Sequence, residues 1–212
     1  MAYFDEIVKN SDQIITFTSA VTGKEVSFPA FITNFSDDYS VAWSGETLFG
    51  RVDPIKNYQS TSRRISAAFD IVGKDEETAL QNFFNFSTMI QMLYPVYSDP
   101  VGSNIKSRTI RAAPLIRVRY SNYIRSDSHP RGLLGCIGGF NFSPKFDSGH
   151  IITESKEMVP LVYNMSFVFE PLHEVPLGFN QAGQFLTGKF PYNQGEPVTD
   201  EAQPATEPVG GE

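Results

Sequence analysis

Four adjacent residues of this chain, Ser126-Asp127-Ser128-His129, carry the residue types of a hydrolytic triad. Nucleophilic catalysis of that kind needs hydroxyl, imidazole and carboxylate at hydrogen-bonding geometry beside an oxyanion hole, and separate segments usually supply them. Neighbours in one short stretch before Pro130 are expected to form a solvated turn instead. His129, His150 and His173 each stand alone, and Cys136 is the only cysteine, so no zinc-ligand spacing exists. Asp37-Asp38 and Asp75-Glu76-Glu77 lack the spaced oxygen ligands of a calcium loop and fit turn chemistry and helix capping better. The stretch "GLLGCIGG" is glycine-rich but no Lys-Ser/Thr follows it, and "TGKE" (Thr22–Glu25) lacks the spaced glycine of a phosphate loop and reads as a hairpin turn. Cys136 is expected to be a small buried hydrophobe. Asp70 and Glu170 fall on polar strand faces, and a glycosidase-type pair would require the fold to bring carboxylates together. No catalytic residue, metal or cofactor is expected.

One concentration of charge stands out. Lys106, Arg108, Arg111, Arg117, Arg119, Arg125 and Arg131 make up seven of the 17 basic residues, and Asp127 alone opposes them within that span. With Tyr120 and Tyr123 interleaved, the pattern admits a nucleic-acid surface, a protein interface or a solvated strand face. Arg forks suit carboxylate partners, which favours the protein interface, with Arg108, Arg111, Arg117, Arg119 and Arg125 as its candidates.

Bulk charge does not argue for nucleic acid. Of the formal charge of −7, five units come from Glu196, Asp200, Glu201, Glu207 and Glu212, leaving −2 for residues 1–190. Charged residues are 19% of the chain, below the roughly 25% of an average globular protein, while Phe occurs 18 times. Low charge with many aromatics suits either an ordinary β-domain or a subunit that hides surface in an assembly. A single cysteine precludes an intrachain disulfide and fits a reducing compartment. The N-terminal residues lack the basic and apolar regions of a secretory signal, and no apolar run approaches the ~20 residues of a membrane helix, so a soluble, cytoplasmically made protein is expected.

The elements that must position these residues are mostly strands. "QIITFTSAVTGKEVSFPAFITNFS" predicts a hairpin turning at Thr22-Gly23-Lys24, with Pro29 placing its second strand at an edge or bulge. "YSVAWS" (39–44) predicts a short strand. In "RRISAAFDIV", Ile65, Ala67, Phe69 and Ile71 share one face. "KDEETALQNFFNFSTMIQMLYP" predicts the one good helix, capped by Asp75 and stopped by Pro95. Its apolar stripe is Leu80, Phe83, Phe84, Ile90 and Tyr94, broadened by Phe86, Met89 and Leu93, so it should pack under the sheet and also against a loop or a neighbouring subunit. "APLIRVRYSNYI", "RGLLGCIGGFNFSP" and "MVPLVYNMSFVFEPLHE" predict three more strands. In the second, Cys136, Phe140 and Phe142 share a face, with Gly138-Gly139 at a bulge or close approach. The prediction is an α+β, sheet-rich domain over residues 1–190, a mostly antiparallel β-sandwich or partly closed barrel with one flanking helix. Residues 191–212 are rich in Pro, Glu and Gly and are expected to be a flexible acidic tail.

The "FGRVDPI" loop, the "STSRRISAAFDI" strand, the "LYPVY" helix exit and the closing "GCIGGFNFSPKFDSG…MVPLVYNMSFVFEPLHEVPLGF" resemble a group of bacteriophage tail and baseplate proteins over residues 13–180. The resemblance implies a tail-tube-like fold without enzymatic activity, built into rings, usually hexameric, at the baseplate hub or tube–baseplate junction. It implies assembly in the host cytoplasm, residence in the virion tail, and other tail, tube or baseplate proteins as partners. DNA enters only as cargo passing a channel, and no membrane is involved. A tail terminator or neck ring is the alternative; a cell-wall hydrolase or nucleic-acid module ranks below both. No peptidoglycan-binding module is appended, which weakens a cell-wall role. In such a ring "FGRVDPIKNYQSTSRR" is expected to be a loop reaching the neighbour. Leu48, Phe49 and Ile55 would anchor it, Pro54 would stiffen it, Arg51, Arg63 and Arg64 would supply ion pairs across the seam, and Asp53 would also lie at the contact.

Overall fold

The computed structural model describes residues 13–99, 108–153, 156–188 and 190–192. The acidic tail beyond residue 192 and Lys106 lie outside them.

The first hairpin joins β1 (Ile14–Ser19) to β2 (Glu25–Pro29), with Gly23 taking the positive φ its turn requires. A second, much longer hairpin follows: β3 (Phe31–Glu46) and β4 (Ile55–Val72) pair antiparallel along nearly their full lengths. Helix α1 (Glu76–Met92) then begins at Asp75, whose carboxylate accepts the Thr78 amide at 2.8 Å and the Thr78 hydroxyl. After it come β5 (Val96–Tyr97), β6 (Ile110–Ala112), β7 (Ile116–Tyr120), β8 (Leu133–Pro144), β9 (His150–Ile152), β10 (Met158–Pro160) and β11 (Val162–Pro171). Seven strands make one antiparallel sheet in the order β2-β1-β7-β8-β11-β4-β3, and β5–β6 and β9–β10 form two small ribbons. The fold is α+β and sheet-rich, as the sequence predicts. The sheet stays open, with β2, the strand holding Pro29, at one edge and β3 at the other.

The sheet curls over itself. Phe17 on β1 and Phe167 on β11 are three strands apart in the order, which would be about 14 Å in a flat sheet. Their ring centroids are 5.3 Å apart. Phe69 on β4 and Tyr120 on β7, again three strands apart, meet at 5.0 Å. The inward rows are those the alternation selects: Ile65, Ala67, Phe69 and Ile71 on β4, and Tyr163, Met165, Phe167 and Phe169 on β11. The phenol end of Tyr163 is buried without a hydrogen-bond partner, and that burial pushes its pKa up to about 12.

Three expectations change. Residues 55–64 are not loop but the distal half of β4, so the connection is confined to 47–54. The face of α1 turned to the core is Ala79, Asn82, Phe86 and Met89; Phe86 packs on Phe28, Phe142 and Tyr163 at 4.6–5.0 Å. Leu80, Phe83, Phe84, Ile90 and Tyr94 point outward. Cys136 is exposed. Between Val168 and Phe169 of β11 the register slips, so that Val168 faces Gly139 and Phe169 faces Ile137, leaving Gly138 as the extra residue. That bulge reverses the alternation, so Cys136 sits opposite in face to Phe140 and Phe142. The close approach is at Gly135, where a Cβ would lie 2.3 Å from the Glu170 carbonyl oxygen.

The reassigned helix face is testable. Phe86→Ala should destabilise by about 3–5 kcal/mol, while Phe84→Ala should cost no more than about 0.5 kcal/mol. Chemical denaturation distinguishes them, and equal effects would refute this packing.

Candidate functional site

The β3–β4 hairpin has two unlike faces. Pairing along it is Phe35↔Ala67, Asp37↔Ile65, Tyr39↔Arg63 and Val41↔Thr61, then, after a one-residue bulge, Trp43↔Tyr58. These residues continue the inward face of the sheet beyond the point where the core ends. Trp43 and Tyr58 are 55% and 56% exposed, and their rings meet edge-on at 5.5 Å. The intervening pairs are Ser36↔Ser66, Asp38↔Arg64, Ser40↔Ser62 and Ala42↔Ser60. That opposite face is small and polar. One face of the projecting hairpin is thus largely aromatic and apolar, and beyond Tyr39 its Val41, Trp43 and Tyr58 are exposed.

Leu48, Phe49, Val52 and Ile55 at the tip are all exposed, Phe49 and Val52 fully. Arg51 turns back through its amide to the Leu48 carbonyl at 3.2 Å, Gly50 takes a positive φ, and Asp53 and Pro54 complete the connection. Arg51 and Arg64 are exposed.

Arg63 is different. It is 5% exposed, and its guanidinium holds the Asp37 carboxylate through Nε at 2.8 Å and Nη2 at 2.6 Å. The hydroxyls of Tyr39 and Tyr192 both donate to the same carboxylate at 3.1 Å. The guanidinium carbon lies 5.4 Å from the Tyr39 ring centroid and 5.3 Å from that of Phe190. Phe190 and Tyr192 therefore cross the root of the hairpin and seal the pair, with Tyr123 and His173 packed on them. Burial raises the Tyr39 hydroxyl well above the ordinary phenol range, Arg63 opposing and Asp37 adding to it. Burial, then the Arg63 charge, lowers His173 below the usual imidazole value. Arg63 thus cannot serve as a seam cation: its partner is in its own chain.

The basic cluster divides. Arg117 donates to Glu174 through both terminal nitrogens at 2.6 and 2.7 Å, a neutralising partner more than fifty residues on in sequence. Arg119 lies on the same outward row of β7, and with Arg125, Asp127 and His129 it rims a shallow polar depression. Arg111 is exposed on β6, in a different sheet, and Arg108 is exposed two residues before that strand. The Ser126–His129 stretch is a turn: Ser126 bonds Ser128 at 2.9 Å, and His129 Nδ1 accepts the Arg131 amide at 3.1 Å. Asp70, on the polar face of β4, accepts from Asn164 at 2.9 Å and from Lys145 at 2.9 and 3.0 Å, which together hold its carboxyl below the usual range. Among the described residues no group of three or more His, Cys, Asp or Glu is arranged to hold a metal ion.

The aromatic face was missed by sequence reasoning because "YSVAWS" reads as an isolated short strand. The signal was there: Asp37, Tyr39, Val41 and Trp43 alternate with Ser36, Asp38, Ser40 and Ala42. Comparison with protein-family models gives no match, and comparison with curated proteins gives none.

Breaking the buried pair should be costly. Asp37→Ala leaves a guanidinium buried without its counter-ion and should destabilise by about 3–5 kcal/mol, whereas Asp37→Leu combined with Arg63→Met should recover most of the loss. If Asp37→Ala costs under about 1 kcal/mol in chemical denaturation, the pair does not hold the hairpin root.

Proposed function

We propose that this chain is a non-enzymatic structural subunit of a bacteriophage tail. It forms or joins a ring, with six copies favoured, at the baseplate hub or the tube–baseplate junction. The observation that carries the reading is the hairpin with one aromatic and one serine-rich face. An apolar face that projects beyond its own core serves burial against another protein and has no use to a chain that stays alone. The tip residues Leu48 and Phe49 add exposed apolar surface beyond it, Ile55 lies at the tip on the opposite face, and Arg51 and Arg64 remain available for ion pairs at its margin. The phage assignment itself rests on the sequence resemblance, with which a sheet-rich domain bearing one flanking helix agrees.

Light scattering coupled to size exclusion tests the assembly. The intact chain should show a concentration-dependent approach to a closed multiple of its own mass. Replacing residues 47–54 with a two-residue Asn-Gly turn should keep the fold and abolish the oligomer. Unchanged assembly by that variant would sink the role given to the tip, and a chain monomeric at every concentration would sink the ring.

A further inference from the structure

The helix carries a second, exposed apolar face. At 3.6 residues per turn, Leu80, Phe83, Phe84, Ser87 and Tyr94 fall on one stripe of α1 and just beyond its end, with Ile90 at its border beside Ala79, and Phe86 and Met89 on the core side. Phe84 is 67% exposed, and Leu80, Phe83 and Ile90 each keep more than a third of their surface in solvent. Glu76 falls on the same stripe, one turn before Leu80, and is exposed. No Lys or Arg lies between Glu76 and Tyr94. This is an acidic-ended aromatic ridge.

The hairpin presents its counterpart. Lys56 shares the face of Tyr58 and Trp43, opposite Gly45, and is exposed. Beyond the buried Arg63 it is the cation of that face. Dimensions also agree: the ridge from Leu80 to Tyr94 is about 21 Å long at 1.5 Å per residue. The paired hairpin face from Tyr39 to Gly45, where Lys56 pairs, is about 20 Å at 3.3 Å per residue. Both surfaces belong to one chain but to different elements, so contact between them in two copies is heterologous. Each copy then uses its hairpin once and its helix once, and the contact repeats head to tail until a rotation closes it.

We infer that the outward face of α1 is the docking surface for the β3–β4 hairpin of a second copy of this chain, with Lys56 meeting Glu76 at the end of the aromatic contact. This rests on the reading of the chain as a self-assembling subunit and names the surface that reading leaves open.

The test uses two half-blocked forms of the full chain. Leu80→Glu with Phe84→Glu blocks the helix; Trp43→Glu with Tyr58→Glu blocks the hairpin. All four side chains are exposed, and circular dichroism with thermal melting verifies that each variant is folded. By light scattering each variant alone should be monomeric. Their equimolar mixture should stop at a 1:1 heterodimer, because one intact hairpin and one intact helix face remain between them. A mixture that stays monomeric while the unmodified chain oligomerises overturns the docking surface and leaves the self-assembling reading standing. So does a helix-blocked variant that assembles like the unmodified chain, as a hairpin-to-hairpin contact would allow. An unmodified chain monomeric at every concentration overturns both. In an assembling chain, Lys56→Glu should weaken association by about tenfold or more, and adding Glu76→Lys should restore it. Without that restoration the Lys56–Glu76 pairing is wrong.

Discussion

The Asp37–Arg63 ion pair sits where the molecule changes character. Up to the Phe35↔Ala67 and Asp37↔Ile65 pairs, the inward face of β3–β4 rests on the phenylalanine core. Past them the same face leaves the core and runs into solvent. A charged pair at this joint is costly to bury, and here it is well compensated: the carboxylate receives the guanidinium fork and two tyrosine hydroxyls, and the guanidinium packs against two rings. The arrangement fixes direction as well as energy, because a bidentate fork tolerates little rotation. The hairpin is thereby set at one angle to the sheet, and the segment around Phe190 and Tyr192 is tied to the same point.

Much of the fold was legible because the sheet is buried on one side and wet on the other, so period-two alternation reports it directly. The rows from Ile65 to Ile71 and from Tyr163 to Phe169, the turn at Gly23 and the cap at Asp75 needed no more than local pattern. The errors have local causes too. Helix α1 is apolar on two faces, so periodicity could not tell the one packed on Phe28 from the one left open. The bulge at Gly138 inserts one residue and carries Cys136 to the other side. Residues 55–64 carry Ser, Thr, Gln and Arg, which resemble loop chemistry, yet their strand character comes from pairing with β3.

The candidate site was less legible, and the reason is long-range pairing. Arg63 and Arg64 are adjacent and look equivalent. One is buried because Asp37, 26 residues earlier, lies diagonally beside it across the ladder with its carboxylate in reach, and the other is exposed because β geometry turns it to the opposite face. Arg117 likewise lost its place in the basic cluster to Glu174, which lies past the end of β11. Charge runs in a strand protein are divided by the pleat and neutralised by distant partners, so their count in sequence overstates the surface they make.

β3 is also an edge strand, sixteen residues long, with an aromatic row on one side. Such an edge invites indiscriminate pairing, which proteins oppose with charge, twist or cover. Here the opposing devices are modest: the Asp38–Arg64 pair of positions on the polar face, the bulge near Trp43, and Lys56 on the aromatic face. They mark the edge without closing it. A sheet built to remain solitary would carry prolines or further inward-facing charges along β3 beyond Asp37. Among the described residues β3 pairs only with β4 and its aromatic row is exposed beyond Tyr39, while a four-membered polar network holds the root from which they project. Precision at the root together with openness along the arm is what a specific partner requires, since a floppy arm would pay the ordering entropy again at each encounter.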